Sequence, residues 1–403
     1  MNAKTSRRGF LAALGAAVLA PLAARAQDHG HGHGHAAPAA PAAPGGVPAA
    51  VHPDMGPVHV WRDPARPISP PPPTMGKQMG RVRALNLPPL GYELDGKVKV
   101  FRLIAQPVLH TLTAGGPLWP QVPPRNRYAY HHHGYPQRAR LWGYNGRVPG
   151  PTIECRQGDT IRVVLVNELP EPTSIHWHGL EVPNAMDGAG GISEPATPPG
   201  ATRVYEFSLR QTGAFLYHTG FNDMKQEGMG LGGMLVIHPA QESSPPEVDL
   251  TVLLQQFALV PGSESPNLVT MDFNWFAMNG KSAPDIEVIK ARQGQRVRLR
   301  IGNLSMDSHP IHLHGHTWRV VGTEAGPIPA SAQWPGNTVD VPPGSVREVE
   351  FIADNPGVWH LHCHKMHHTM NAHAEVPLGV MAPGGMTTLM VVEPGHHGGG
   401  HHG

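Results

Sequence analysis

The sequence predicts an all-β protein built from two Greek-key β-sandwich domains in tandem. Three observations support this prediction: the chain repeats itself once, apolar residues alternate with polar ones as in half-buried strands, and no long amphipathic helix interrupts them. Turn residues separate the alternating runs at short spacing, which is typical of two sheets packed face to face. At 403 residues the chain has room for two domains of ordinary size.

The first segment, residues 1–26, is predicted to be a twin-arginine signal peptide. It contains Ser6-Arg7-Arg8-Gly9-Phe10-Leu11, an apolar run to Leu22, and Ala24-Arg25-Ala26 before Gln27. The apolar run is too short to be a stable membrane anchor. We therefore expect an exported, periplasmic protein without a membrane anchor.

The charge left after removal of this segment argues against a polyanionic partner. The chain has 31 basic and 30 acidic residues, and residues 1–26 contain four of the basic ones and no acid, so the mature balance is 27 − 30 = −3. This balance gives no electrostatic reason to bind nucleic acid or an anionic membrane. The only cysteines are Cys155 and Cys363, so no disulfide framework is expected, and Cys155 is interpreted as a small buried apolar residue.

Residues 27–80 are predicted to form a linker rich in Pro, Ala and His, with little capacity to bury a core. An alternating Gly-His tract lies in this linker, and a His/Gly-rich tail covers residues 396–403. Both segments either hold metal loosely or are flexible ends with incidental metal affinity.

Domain 1 is predicted at 81–240 and domain 2 at 247–395, because the two stretches are copies of one domain. Residues 153–158 align with 289–294, and at the same offset of 136 His176 and His178 fall on His312 and His314. At an offset of 144, Pro198-Pro199-Gly200 falls on Pro342-Pro343-Gly344 and His218 falls on His362. The boundary is predicted within 241–246.

Strands are predicted within both copies from period-2 alternation. Val297, Leu299 and Ile301 alternate with Arg296, Arg298 and Arg300, and similar runs cover 160–167, 203–209 and 345–352. The stretch between Pro107 and Arg140, which includes His131-His132-His133, is interpreted as an inserted loop.

The most informative cluster lies in domain 2, where His362-Cys363-His364 is followed by His368 and preceded by His309. Copper in blue electron-transfer sites is bound by one thiolate and two imidazoles, and Cys363, His309 and His368 supply this set. A core or solvated histidine is the ordinary interpretation of any one of them alone. Side chains alternate along a strand, so His362 and His364 are predicted to point away from Cys363, towards a second site.

With His176-Trp177-His178, His218 and His312-Leu313-His314, the chain resembles the bacterial two-domain multicopper oxidases of the laccase-like class, in the cupredoxin superfamily, from about Gly80 to Glu393. The resemblance implies two cupredoxin sandwiches and a copper-dependent oxidoreductase. Such an enzyme couples one-electron oxidation of a phenol, Cu(I) or Mn(II) to reduction of dioxygen to water.

Carried over residue by residue, the resemblance implies a type 1 copper and a type 2/type 3 cluster. His176 and His312 fall on the type 2 copper, and Asp187 stands where the family keeps a proton-relaying acid, with a surface turn as the alternative role. The type 3 ligands are His178, His218 and His364 on one copper, and His314 and His362 on the other.

Two departures from the family pattern concern the copper ligands. Thr219 stands opposite Cys363, so domain 1 cannot build a blue site. Gly220 stands opposite His364, so one type 3 copper lacks a protein ligand. Water or Asp223 would take the place of that ligand. The expected axial methionine is replaced by His373, which leaves His373, Met370 or no axial ligand open. Three further methionines either contact Cu(I) or simply fill the core: Met224, Met229 and Met234.

Two other functions remain open from the sequence, a copper nitrite reductase-like enzyme and a non-oxidase periplasmic copper-binding or electron-transfer protein. We also expect a homotrimer, because the short connection at 240–247 hinders the two histidine faces of one chain from meeting. A head-to-tail ring brings domain 1 of each subunit to domain 2 of the next. Within one chain, the domain 1 histidines and the domain 2 histidines should then form separate clusters.

Overall fold

The computed structural model describes residues 77, 80–114, 137–371, 375–376, 380–381 and 384–395. The predicted signal peptide 1–26, nearly all of the linker 27–80, His131-His132-His133, His373 and the tail 396–403 lie outside the described residues. Within the described ranges, no helix is both long enough and apolar enough to cross a membrane.

Ten strands cover the first part of the chain: β1 Arg83–Ala84, β2 Glu93–Asp95, β3 Val98–Thr111, β4 Arg138–Tyr144, β5 Ile153–Arg156, β6 Thr160–Asn167, β7 His176–His178, β8 Thr202–Ser208, β9 Gly213–His218 and β10 Gly232–His238. A five-stranded sheet has the order β2-β3-β6-β8 with β4 beside β3, and a four-stranded sheet has the order β5-β10-β9-β7. One apolar core, which includes Phe101, Trp177 and Leu235, lies between these sheets and makes them the first sandwich.

Fourteen further strands follow: β11 Val248–Phe257, β12 Trp275–Met278, β13 Ile289–Arg292, β14 Arg296–Leu304, β15 His309–Leu313, β16 Trp318–Thr323, β17 Gly326–Pro327, β18 Trp334–Gly336, β19 Thr338–Val341, β20 Val346–Ile352, β21 Gly357–Cys363, β22 Glu375–Val376, β23 Val380–Met381 and β24 Thr387–Glu393. Most of them form the second sandwich. Its larger sheet has the order β1-β11-β14-β20-β16-β17, with β12 on β11 and β18 on β16, and its smaller sheet has the order β13-β24-β21-β15-β19.

Helices are short. The one α-helix, α1, covers Asp223–Gly228, and 3-10 helices cover Asn184–Met186, Leu268–Thr270, Ala330–Ala332 and Met366–Thr369 within the described part of the chain. The tandem β-sandwiches confirm the predicted all-β class.

The alternation of apolar and polar residues predicts the strand positions well, but one residue expected on a polar face is buried. Burial alternates through the whole of β6, as predicted for a half-buried strand. In β14, however, Arg300 was expected on the polar face and is only 2% exposed. Its guanidinium pairs with Asp249 Oδ1 at 2.7 Å and with Glu348 Oε2 at 2.6 Å, so ion pairing permits a burial that polarity alone does not predict.

Two predicted boundaries differ from the observed connections. Residues 83–84, expected in domain 1, pair in parallel with β11 of the second sandwich, because Leu85 packs in the second core. Strands β3 and β4 also extend into the stretch 107–140 that was interpreted as an inserted loop. This hairpin contacts the second sandwich, where His110 Nε2 lies 2.6 Å from the Gly280 carbonyl oxygen.

Candidate metal centre

A thiol and two imidazoles converge in the second sandwich. His309 begins β15, Cys363 ends the neighbouring strand β21, and His368 lies in the 3-10 helix that follows. Cys363 Sγ is 3.8 Å from His309 Nδ1 and 3.5 Å from His368 Nδ1, and these two nitrogens are 2.9 Å apart. All three side chains are buried. The structure therefore brings together the three residues that the sequence predicted for a blue copper site.

The hydrogen bonds around this group fit a metal cation. Ser305 Oγ donates to Asn303 Oδ1 at 2.6 Å, so His309 Nε2 donates to Ser305 Oγ at 2.7 Å and leaves an unprotonated Nδ1 facing His368 Nδ1. Two nitrogens at this distance are joined either by the Nδ1 proton of a neutral His368 or by a bound cation. Burial, together with the His368 imidazole, lowers the pKa of His309 to about 3, so this ring stays neutral and its Nδ1 lone pair is available to a cation.

The thiolate form of Cys363 requires a cation beside it. Burial raises the pKa of Cys363 to about 11, so a thiolate forms here only when positive charge is bound beside it. The neighbouring ring of Phe276 stacks on His368 with centroids 4.1 Å apart and fixes the orientation of that imidazole. A soft thiolate with two imidazoles suits copper.

Met386 is a methionine whose backbone is hydrogen-bonded to this group, and the sequence analysis did not identify it. Its backbone N donates to the His368 carbonyl at 2.8 Å, and its carbonyl accepts from the Cys363 N at 3.0 Å. Its side chain is fully buried in the same apolar cluster as Cys363. Met370 is only half-buried and hydrogen-bonds to His367, while His373 lies outside the described residues. The available signal was the Gly385-Met386 pair directly before β24, the strand that pairs with β21.

A second group of imidazoles lies on the opposite side of β21. His312 and His362 are directly opposite each other in the β15–β21 pair, and His314 Nε2 is 3.2 Å from His362 Nε2. Hydrogen bonds from Nδ1 fix the orientation of two of these rings. His312 Nδ1 donates to the Asn337 carbonyl at 2.8 Å, and His362 Nδ1 donates to the Cys363 carbonyl at 2.9 Å. Their Nε2 atoms are therefore unprotonated and available to a metal.

The first sandwich holds an equivalent group. His176 and His218 are opposite each other in the β7–β9 pair, and His178 Nδ1 is 3.1 Å from His218 Nε2. His176 Nδ1 donates to the Asp187 carbonyl at 2.9 Å, and His218 Nδ1 donates to the Thr219 carbonyl at 2.8 Å. Burial and the two neighbouring imidazoles lower the pKa of His218 to about 4.

The two histidine groups are separate within the chain. Ring contacts link His176, His178 and His218 to one another and link the domain 2 histidines to one another, but none among the described residues joins the two groups. His364 is exposed and only flanks its group, with ring centroids 5.7 Å from His312 and 5.6 Å from His362. Asp187 Oδ1 lies 3.5 Å from His176 Nδ1, beside the first group.

His360 is a further histidine at the domain 2 group that the sequence analysis missed. Its ring stacks on His362 with centroids 4.4 Å apart, and its Nε2 contacts the Thr387 hydroxyl. Burial and the neighbouring imidazoles lower its pKa to about 4. The same alternation that placed His362 and His364 on one face of the strand also includes residue 360.

Gly220 has no room for a side chain. A Cβ atom built on it would lie 2.1 Å from the Gly188 carbonyl oxygen.

A carboxylate of helix α1 lies beside the first histidine group. Glu227 Oε2 is 3.4 Å from His218 Nδ1. Burial raises the pKa of Glu227 to about 7, with a contribution from Asp223. Burial also raises the pKa of Asp223.

The three methionines considered as Cu(I) contacts do not form one site. Met229 and Met234 are buried in two different apolar clusters. The side chain of Met224 is exposed. Met229 and Met234 therefore serve as packing residues.

Comparison with known protein families gives matches over the two stretches that contain the histidine groups. Two family models described as multicopper oxidase match residues 127–242 and 261–376, together more than half of the chain. A probable nitrite reductase-hydroxylamine oxidoreductase fusion protein of Kuenenia stuttgartiensis is 30% identical over 257 residues, which are 57% of this chain and 28% of that protein. Laccase-3 of Botryotinia fuckeliana is 32% identical over 205 residues, which are 46% of this chain and 44% of the laccase.

Solved structures agree with the sequence matches. The blue copper oxidase of Nitrosomonas europaea superposes with a TM-score of 0.56 and 26% identity, over 73% of this chain and 85% of that one. The chain spans less than half the length of the two curated relatives named above.

Proposed function

Because this chain belongs to the multicopper oxidase family, we propose that it takes single electrons from a small reduced donor, a phenol or a metal ion, and reduces dioxygen to water. The observation that supports this most is the position of Cys363 in β21. Its sulfur joins the three-residue group in the core, while the adjacent His362 belongs to the histidine group on the other face. Electrons accepted on one face thus have a short covalent path to the other.

The proposed copper assignment follows the groups that the structure forms. His309, Cys363 and His368 would hold the type 1 copper, and Met386 is the methionine whose backbone is hydrogen-bonded to Cys363 and His368. The histidine groups would supply the type 2 and type 3 ligands named from the sequence. Copper bound in this way would collect electrons one at a time and deliver four of them to dioxygen.

The protein's own residues have two proposed tasks around these metals. Asp307 Oδ2 lies 3.7 Å from His368 Nε2, and the Asp307 side chain is 46% exposed, so the donor would approach the type 1 site beside this carboxylate. Asp187 lies at the other end, against His176, where its carboxylate would carry protons to the site of dioxygen reduction.

The separate histidine groups support a homotrimer closed head to tail. Each group of one chain offers a tight set of three rings, too few for a cluster of three coppers. Cyclic symmetry would bring the first group of each subunit to the second group of the next and would complete every cluster. We further propose that the protein works in the periplasm, after export directed by the twin-arginine motif at Arg7-Arg8.

A copper nitrite reductase-like activity is the second candidate. Gly220 in place of a histidine weakens the case for a complete dioxygen-reducing cluster, and one relative bears nitrite reductase in its name. A non-oxidase copper-binding or electron-transfer protein is the third. Copper analysis combined with an oxygen electrode separates these candidates: the oxidase consumes dioxygen with a reduced phenol, the reductase consumes nitrite, and the third protein consumes neither.

The trimer is tested by mixing inactive subunits. His176→Ala damages only the first half-site and His312→Ala only the second, so each variant alone should be inactive. Co-expressed in equal amounts, they should recover about a quarter of the wild-type dioxygen uptake, because intact halves from different subunits meet in a closed ring. The control carries both substitutions in every chain and should recover nothing. No recovery in the mixed sample would favour a self-contained monomer.

A further inference from the structure

The first sandwich has different residues at the two positions that would hold metal in the second. At the repeat offset of 136 Thr173 stands opposite His309, and at the offset of 144 Thr219 stands opposite Cys363. The spacing to the histidine group is the same in both copies. Thr173 precedes His176 as His309 precedes His312, and Thr219 directly follows His218 as Cys363 follows His362. Both threonines are fully buried.

A carboxamide lies between these two threonines. Gln226 Oε1 is 2.7 Å from Thr173 Oγ1 and 2.7 Å from Thr219 Oγ1. Its Nε2 donates to Glu171 Oε1 at 2.8 Å and to the Pro172 carbonyl at 2.8 Å. Gln226 is fully buried, and all of its donor and acceptor positions are satisfied.

We propose that Gln226 is a positioning residue that replaces, in the first sandwich, the metal that joins the two ligand-bearing segments in the second. It ties the segment that leads into His176 to the segment that follows His218. The rings of the first half-site are thereby held at metal-binding geometry by a hydrogen-bonded side chain. The comparison with a metal rests on the proposed function, whereas the effect on the half-site follows from the hydrogen bonds alone.

The residues of helix α1 on either side of Gln226 strengthen its link between the two segments. Glu227 Oε2 is 3.4 Å from His218 Nδ1, the nitrogen that also donates to the Thr219 carbonyl. Lys225, on the other side of Gln226, pairs with Glu171. The helix is therefore fixed to both segments, and His218 presents Nε2 to the metal.

The test compares Gln226→Met with Gln255→Met in the copper-loaded protein. Methionine keeps the length of glutamine and removes its hydrogen bonds. Gln255 is also buried, at 3% exposure, but lies in β11 of the second sandwich, outside the hydrogen bonds that hold His176 and His218. Copper per chain, the paramagnetic resonance spectrum of histidine-bound copper, the blue absorption band and the melting temperature are measured for each.

Gln226→Met should lose more than half of the histidine-bound copper signal, and its blue band per chain should stay unchanged. Gln255→Met should retain both signals, even where its melting temperature falls as far. Full histidine-bound copper in folded Gln226→Met would overturn the proposal, because the carboxamide would then serve stability alone.

If Gln226→Met loses both signals by misfolding, Thr173→Val decides. Valine keeps the shape of threonine and removes the hydroxyl, whose short contact is the one to Gln226 Oε1 at 2.7 Å, since its other contact, to the Ser174 carbonyl, is 3.5 Å long. Selective loss of histidine-bound copper in that variant supports the proposal, and retention of both signals or loss of both overturns it. Failure of the proposed oxidase function appears separately, as wild-type protein that binds copper without consuming dioxygen.

Discussion

His218 and His362 are held by the same backbone device, although one lies in each sandwich. Nδ1 of each ring donates to the carbonyl oxygen of the next residue, at 2.8 Å for Thr219 and 2.9 Å for Cys363. His176 and His312 are held by carbonyls of more distant residues, Asp187 at 2.9 Å and Asn337 at 2.8 Å. Backbone carbonyls thus set the tautomer of four imidazoles, and both half-sites present unprotonated nitrogens before any metal arrives.

Replacing Cys363 by serine should abolish the blue colour. The colour of a blue site comes from charge transfer from thiolate to copper, and a hydroxyl does not supply it. We expect no band in the visible spectrum and about one copper less per chain, while the histidine groups keep theirs. Absorption and metal analysis check both parts, and a retained blue band would contradict the assignment.

Gly220→His should not repair the site, although the family pattern at this position suggests that it would. The new Cβ would lie 2.1 Å from the Gly188 carbonyl oxygen, so the loop at residue 188 must shift. We expect a melting temperature lower by several degrees and no additional copper. Gly220→Ala is the matched control and should lose similar stability. A well-folded Gly220→His protein with added copper would refute this view of the loop.

Asp187→Asn should slow dioxygen reduction by a factor of about 10² to 10⁴ without loss of copper, if the carboxylate relays protons. The backbone carbonyl of Asp187, which holds His176, is unchanged by this substitution. Oxygen uptake is measured together with copper content. Equal turnover in wild type and variant would leave Asp187 with only a structural role.

His110 should make folding stability depend on pH between about 6.5 and 4. Burial lowers its pKa to about 4, despite a hydrogen bond to the Gly280 carbonyl, so the folded protein keeps this imidazole neutral. As pH falls below 6.5 the unfolded chain gains the proton first, and stability is lost until both states are protonated. His110→Gln does not titrate and should show a flatter pH dependence in urea unfolding. Identical profiles would exclude His110 as the cause.

Arg300→Met should destabilise the second sandwich by about 3 to 5 kcal/mol, because it leaves Asp249 and Glu348 as unpaired buried carboxylates. Arg162→Met is the control, since its pairs with Asp95 and Glu206 are solvated and should contribute far less to stability. Urea unfolding gives both values. A similar loss in the two variants would show that burial of Arg300 carries no special cost.

The sequence predicted the fold and the metal-binding positions that depend on local periodicity. Cys363 and His362 lie on opposite faces of β21 because side chains alternate along any strand. The internal repeat likewise predicted that His218 corresponds to His362. His360 was missed although it obeys the same alternation.

Other features depend on contacts between distant segments, and a local pattern does not contain them. Met386 reaches Cys363 through the pairing of β24 with β21, eighteen positions after His368 in the sequence. The obstacle at Gly220 comes from Gly188, which is far from it along the chain. Arg300 is buried because two carboxylates from other strands meet it. The register between strands, rather than composition, decides each of these.

Strand β1 lies beside β11 although the whole first sandwich separates them in sequence. The side chain of Asn279 completes the contact by donating to the Leu85 carbonyl, 194 residues away. During synthesis β11 emerges after the whole first sandwich, so residues 83–84 have no partner strand until β11 has formed. A chain cut short ahead of Val248 leaves that strand without its partner. The pairing of residues 83–84 therefore reports that β11 has formed, and it does so at a strand that precedes the whole first sandwich.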